Sequence, residues 1–117
     1  MEVLGIEYVE LGEDYVVGKM PVDKRTHQPV QSLHGGASVV LIESLGSLGS
    51  YLIAQQNGKG AVGLEVNANH LRGVNSGFVY CTAKLVHKGG KTHVWAAEIK
   101  DEAGKLVCTG RLTTMIV

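Results

Sequence analysis

The apolar positions of this chain follow two periods. From Ala37 to Ala54, Val40, Leu41, Leu45, Leu48 and Leu52 recur at helical spacing. The positions between them are small or uncharged, with Glu43 as the exception. A segment that is apolar or small on every face predicts a buried helix. A carboxylate inside such a helix is costly unless it is paired or has a task. Glu43 therefore needs an explanation.

Elsewhere the period is two. Val3 to Glu10 and Tyr15 to Val22 read as two strands of a hairpin around the turn Gly12-Glu13-Asp14. Asp23 to Leu33 has no period, contains Pro29 and is predicted to be a loop. The helix is expected to end near Gln55-Gln56-Asn57-Gly58, where Asn and Gly suit a C-terminal cap. Ala61 to Leu71 puts Val62, Leu64, Val66 and Ala68 on one face and Glu65, Asn67 and Asn69 on the other. Phe78 to His87 carries Val79, Cys81, Ala83 and Leu85 in register. Gly89-Gly90 makes a turn into Thr92 to Asp101, where Val94, Ala96, Glu98 and Lys100 alternate. Asp101-Glu102-Ala103-Gly104 is another turn, and Lys105 to Val117 is the last strand.

Three or four strands after the helix are expected to run as a meander, and their short hairpin turns make the sheet antiparallel. The predicted fold is α+β, one antiparallel sheet wrapped around one long central helix, in a single domain over residues 1–117. No second helix is available for the other face of the sheet. Apolar residues there, such as Leu106 and Met115, predict a homo-oligomer with two-fold symmetry.

Composition narrows the partners. Lysine plus arginine equals aspartate plus glutamate, 11 against 11, so the formal charge is zero. That argues against nucleic acid as the main partner and favours self-association. Cys81 and Cys108 lie in strand-like runs without metal-ligand spacing and read as buried free thiols. The first residues carry Glu2 and Glu7 and lack the charge pattern of a signal peptide. The uncharged run ahead of Glu43 is too short to span a bilayer. A cytoplasmic protein with no membrane partner is expected.

Several residues are candidates for chemistry. Gly35 and Gly36 stand where the loop enters the helix. The first N–H groups of a helix have no intrahelical acceptor, and the dipole adds partial positive charge there. These amides suit an oxyanion hole. A tight turn explains the Gly-Gly pair equally well on spacing alone. Glu43 lies about two turns further on. It suits a nucleophile or general base, and a structural ion pair with the sheet is the alternative. No Gly-x-Ser-x-Gly or Cys-His nucleophile pattern occurs. Ser47, one turn after Glu43, can hold a water or serve only as a small packing residue. Gly46 and Gly49 cost helix propensity and predict close packing against the helix. His70 and Arg72 follow the third strand. Five histidines without ligand spacing predict no metal site. His87-Lys88-Gly89-Gly90-Lys91 is a basic turn that can hold phosphates or be a plain solvated hairpin.

Taken together, Gln28-Pro29, Leu33-His34-Gly35-Gly36-Ala37-Ser38 and Glu43-Ser44-Leu45-Gly46-Ser47 resemble the hotdog-fold acyl-CoA thioesterases of the phenylacetate-pathway (PaaI) type. The resemblance is strongest to the branch holding the enterobactin-pathway proofreading and 1,4-dihydroxy-2-naphthoyl-CoA thioesterases. It extends through Met20-Pro21-Val22-Asp23, Val62 to His70, Trp95 and Arg111-Leu112-Thr113. It implies a homodimer, often a dimer of dimers, with the active site at the dimer interface. Residue by residue, it implies that Glu43 is the nucleophile or general base. The amide at Gly35 or Gly36 would polarise the thioester carbonyl. Gln28 and His34 would assist, and Ser47 would position water or the acyl ring. His70 would line the acyl or pantetheine pocket. Gly63, Arg72, His87, Lys88, Gly89, Gly90 and Lys91 would contact coenzyme A.

The resemblance implies no cofactor and no metal, coenzyme A being part of the substrate. It leans to aromatic acyl groups. One departure stands out. The family's turn reads His-x-Gly-Arg, whereas here it reads His87-Lys88-Gly89-Gly90, so Lys88 or Lys91 would replace the arginine as a point charge. Relatives often carry an extra N-terminal helical segment ahead of the first strand. A non-catalytic acyl-CoA-binding protein is the alternative reading. A hydroxyacyl-thioester dehydratase is another, although its His-Phe-Pro motif has no counterpart here.

Overall fold

The computed structural model of this protein describes residues 4–23, 33 and 35–117. The elements run β1 (Glu7–Leu11), β2 (Tyr15–Pro21), α1 (Gly35–Gln55), β3 (Ala61–His70), β4 (Phe78–Lys88), β5 (Thr92–Asp101) and β6 (Leu106–Ile116). Six strands form one antiparallel sheet in the order β1-β2-β4-β5-β6-β3. The helix packs across one face of that sheet and touches all its strands except β1 closely. The expected α+β layout, a sheet wrapped on one helix, is what forms.

Alternation drives the core. On β5, His93, Trp95, Ala97 and Ile99 point inward, one residue out of phase with the Val94 to Lys100 set. On β4 the inward set is Val79, Cys81 and Ala83, with Leu85 half-buried, as the pattern predicts. They meet Leu41, Ile42 and Leu45 of α1, which are fully buried. Two glycines in the middle of the helix, Gly46 and Gly49, allow this closeness. A methyl on Gly46 would lie 2.5 Å from Leu112 Cδ2, and one on Gly49 would lie 2.3 Å from Trp95 Cη2. Both distances are far below contact, so the tight packing expected from these glycines is realised.

The helix begins two residues earlier than its apolar pattern, at Gly35, and ends where expected. Its end is a glycine cap. Lys59 N–H donates to Ala54 O and Gly58 N–H to Gln55 O, both at 3.0 Å, with Gly58 at φ +69. That pair of bonds is the Schellman arrangement, and its left-handed residue is best supplied by glycine. By length and hydropathy α1 is long and apolar enough to cross a membrane. Nine of its residues, however, are buried in this chain's own core.

Three expectations need correction. First, the expected meander holds three strands rather than four, and β3 stands outside it. It pairs with β6 at the far edge of the sheet, and only β4, β5 and β6 run in sequence order. Second, a register shift between Gly63 and Glu65 breaks the alternation of β3. Val66 and Ala68 pack on the core, while Val62 and Leu64 remain 49% and 52% exposed. Third, α1 is not buried on every side. Gly36, Glu43 and Tyr51 are exposed, and Val40, Ser44 and Ser47 are half-buried. These residues share one stripe along the helix.

Both cysteines are free and buried. Cys81 and Cys108 each pair with Ile99 from opposite sides, two strands apart, or about 9.5 Å. That exceeds the reach of a disulfide. Burial, with Cys108 adding to it, pushes the Cys81 thiol up to about 12. Burial also raises that of Cys108. Both stay protonated, which removes them as nucleophiles.

Candidate active site

The open stripe of α1 carries one charged group. Glu43 is exposed, against the expectation of a buried carboxylate, because its helix face turns away from the sheet. Its side chain leans over the edge strand. A methyl on Gly63 would stand 3.1 Å from Glu43 Oε2. The bare backbone of Gly63 is what leaves room for the carboxylate. Among the described residues Glu43 has no ion pair and no hydrogen-bond partner. The structural ion pair considered above therefore does not form. Ser47 lies one turn beyond, half-buried on the same stripe.

The start of the helix forms a second feature. Gly35 opens α1, and the ring of His70 rests on it. A methyl on Gly35 would lie 3.0 Å from His70 Nε2. The two line a cavity of about 370 Å³ together with Leu33, Ser38, Leu71, Arg72, Gly73 and Val107. Two bonds place its walls: Leu33 N–H donates to Val74 O at 2.9 Å, and Leu71 N–H to Val107 O at 2.8 Å. Arg72 is held at the rim by Asp101, with Nη1 3.7 Å from Oδ2. The other oxygen of Asp101 accepts from the N–H groups of Ala103 and Lys105 and closes the β5–β6 turn. Sequence spacing does not reveal Ser38, Leu71 or Val107 as cavity residues.

The basic turn lies elsewhere. Lys88, Gly89 and Gly90 line a cavity of about 360 Å³ at the far end of α1, with Ile53, Ala54, Asn57, Lys59, His93 and Ile116. Nineteen helical residues separate Gly35 from Ala54, or about 28 Å. The expected coenzyme A contacts thus divide into three groups: Arg72 near the helix start, Gly63 beneath Glu43, and Lys88 to Gly90 at the helix end. One chain does not bring them together. Gly89 N–H is already engaged, donating to Thr92 O at 2.8 Å, so it cannot serve as a phosphate donor. His87 packs on Gly89, and Lys91 does not line the cavity. Gln28 and His34 lie outside the described residues.

Sequence reasoning missed a buried polar cluster beneath that cavity. Ser50 Oγ accepts from Trp95 Nε1–H at 2.8 Å. It also bonds His93 Nδ1 at 2.8 Å and Thr114 Oγ1 at 2.7 Å. One acceptor bond from Trp95 leaves the hydroxyl one donor and one further acceptor site, so all three partners are satisfied. Burial holds His93 below its ordinary pKa of 6.5, and Lys88 and His87 lower it further. No local pattern in the sequence marks a serine on an apolar helix as the hub of such a cluster.

A six-stranded antiparallel sheet wrapped on one long helix is the hotdog arrangement. The chain belongs to the Thioesterase superfamily, whose family model matches residues 31–108. It is 49% identical over 114 residues to the 1,4-dihydroxy-2-naphthoyl-CoA hydrolase of Escherichia coli strain K12, covering 97% of this chain and 83% of that protein. It is 45% identical over 117 residues to the proofreading thioesterase EntH of Cronobacter turicensis, covering 100% and 85%. Among solved structures, a thioesterase mutant from Pseudomonas aeruginosa superposes with a TM-score of 0.95 at 49% identity, covering 99% of this chain and 84% of that one. A Staphylococcus aureus protein carrying a glutamate-to-alanine replacement superposes with a TM-score of 0.95 at 37% identity, covering 99% and 96%. A glutamine-to-alanine variant of the same Staphylococcus aureus protein, there called a thioesterase, also matches. The chain is a thioester hydrolase.

Proposed function

We propose that this protein hydrolyses an acyl-CoA to the free acid and coenzyme A, with Glu43 as nucleophile or general base. The observation that carries this reading is the state of Glu43. It is a lone carboxylate, unpaired among the described residues, set over a glycine on the open side of the central helix. The Staphylococcus aureus relative supports it. The glutamine and glutamate replaced there stand fifteen positions apart, as Gln28 and Glu43 do here. In one route Glu43 takes a proton from water, and the hydroxide adds to the carbonyl carbon. In the other the carboxylate adds directly and water then cleaves the anhydride. In both, the C–S bond breaks and the thiolate of coenzyme A leaves, taking up a proton. The amide at the start of α1 would steady the oxyanion, a contribution of a few kcal/mol. Gln28 and His34 would assist from the preceding segment. No metal or cofactor enters the scheme.

Distance makes the reading dimeric. An amide donor and an attacking carboxylate must both lie within about 3 Å of one carbonyl. Gly35 and Glu43 are eight residues apart on one helix, about 12 Å. The free edge of β3 offers the remedy. Antiparallel pairing of β3 with its copy near Val66 would carry the His70 end of one strand to the Gly63 end of the other. Gly35 of one copy would then approach Glu43 of its partner, and the exposed Val62 and Leu64 would be covered. Outward-facing Tyr80 and Met115 would suit a further pairing of dimers through the sheet. The aromatic acyl preference rests on the naphthoyl substrate named for the Escherichia coli relative. A cytoplasmic location fits such a substrate.

A thiol-release assay over aromatic and aliphatic acyl-CoAs tests the proposal. Release from one substrate class is expected. Binding without release from any of them would favour the non-catalytic reading. Light scattering is expected to show a dimer or tetramer at micromolar concentration, and a monomer would remove the composite site.

A further inference from the structure

We infer that Ser50 is a positioning residue for the hydrolysis: by bonding to one row of the sheet it fixes the rotation of α1, and that rotation sets where Glu43 stands. The inference rests on the role given to Glu43 above. Ser50 is fully buried and meets three side chains of the sheet, His93 and Trp95 from β5 and Thr114 from β6. In the ladder Thr114 stands opposite His93 on one side and opposite Gly63 on the other. Gly63 is the residue over which the carboxylate of Glu43 leans. The hub of the polar cluster and the seat of the carboxylate thus belong to one row across β5, β6 and β3.

Helical geometry makes this link mechanical. Ser50 follows Glu43 at close to two full turns, so both side chains leave the helix in nearly one direction, about 10 Å apart along the axis. Toward the end of α1 that direction meets β5 and β6, and in the middle it overhangs the edge strand β3. A side chain of this length ends about 5–6 Å from the helix axis, so a rotation of about 10° carries its carboxylate about 1 Å. A misplacement of about 1 Å can cost on the order of a hundredfold in rate. The apolar neighbours fix how closely the helix approaches, Leu112 at Gly46 and the Trp95 ring at Gly49. Apolar contact is non-directional, whereas a hydrogen bond weakens steeply as it bends. Ser50 supplies the direction. Its hydroxyl has one donor and two acceptor sites, and its three partners use them all. Turning the helix therefore leaves a buried polar group unpaired.

A rival account gives the cluster only the task of satisfying buried polar groups. It predicts a lower melting temperature and an unchanged kcat in the folded protein. Positioning predicts a fall in kcat that lost stability does not explain. KM stays in place, because Ser50 is buried away from the open stripe.

The test measures thiol release at a temperature where every variant is folded, using the acyl-CoA of the panel above that the wild-type chain cleaves best. In Ser50→Ala, kcat should fall about tenfold and KM should stay within about twofold. Thr114→Val keeps the shape of its residue without the hydroxyl and should lower kcat about threefold to tenfold, while Thr114→Ser keeps the hydroxyl and should restore most of the rate. Val79→Ala is the control, since Val79 is buried and pairs with Asp101 at the other end of β5. It should lose stability and keep the wild-type kcat. An unchanged kcat in folded Ser50→Ala and Thr114→Val, or an equal loss in Val79→Ala, would overturn the proposal. Combination with Glu43→Ala tests the route. In that background Ser50→Ala should cost nothing further, and an equal cost in both backgrounds would contradict action through the carboxylate. Turnover kept by Glu43→Ala refutes the role of Glu43 and this proposal with it. Turnover lost there and kept in Ser50→Ala refutes the positioning alone.

Discussion

Glu43 rests on Gly63: its Oε2 occupies the space where any larger side chain on the edge strand would begin, 3.1 Å from the position of a methyl. The helix supplies the carboxylate, and the strand supplies the room for it. The two residues are twenty positions apart in sequence and come together only because β3 crosses to the far edge of the sheet.

This contact predicts how Gly63→Val behaves. The branched side chain would push the carboxylate aside without entering the core, because Gly63 is exposed on an edge strand. Stability should change by less than about 0.5 kcal/mol, since valine suits a strand and the site is solvated. The turnover kcat/KM should fall on the order of tenfold to a hundredfold, the cost of a displaced reacting group. Steady-state kinetics alongside a thermal melt would check it. Unchanged kinetics in a folded variant would count against the placement of Glu43.

The seat of the helix on the sheet makes a separate prediction about stability. Gly49→Ala forces a methyl to within 2.3 Å of the Trp95 ring as it stands, so ring or helix must shift. Overpacking of this kind costs about 1–3 kcal/mol. Ser50→Ala removes the hub of the buried cluster and leaves Trp95 Nε1–H without its acceptor, a loss of about 1–3 kcal/mol. Urea unfolding should show lower midpoints for both variants with the slope unchanged.

His93 makes stability depend on pH. Burial, with Lys88 and His87 adding to it, lowers its pKa in the fold from 6.5. The unfolded chain then binds more protons than the folded one just below 6.5, so stability is full above that pH and is lost as pH falls through the depressed value. The melting temperature should drop on acidification from pH 7 toward pH 5. In His93→Gln that part of the slope should disappear, although the variant starts from a lower melting temperature. An identical slope in the variant would assign the acid sensitivity to other groups.

The helix, the six strands and most of their inward sets are legible in the sequence because each depends on local periodicity. Val79, Cys81 and Ala83 face the core as their spacing demands, and Gly58 caps the helix as its type demands. What escapes is set by distant contacts. The position of β3 beside β6 depends on a crossover that no short-range pattern encodes. The extra residue at Leu64 shifts the phase of its own strand, so alternation groups Val62 and Leu64 with Val66 and Ala68 although only the latter pair packs on the core. Glu43 reads as buried because its neighbours are apolar, whereas the helix turns that stripe away from the sheet. The question of what Glu43 does is posed by the sequence itself, since a single charge in an apolar helix calls for a reason.

The most direct measurement is thiol release by Glu43→Ala and Glu43→Gln, using the acyl-CoA that the wild-type chain cleaves best. Both variants remove the carboxylate from an exposed stripe, so both should fold, assemble and melt like wild type. Both should lose nearly all turnover, at least on the order of a hundredfold for a general base or nucleophile. A folded Glu43→Ala variant that releases coenzyme A at the wild-type rate would contradict the account.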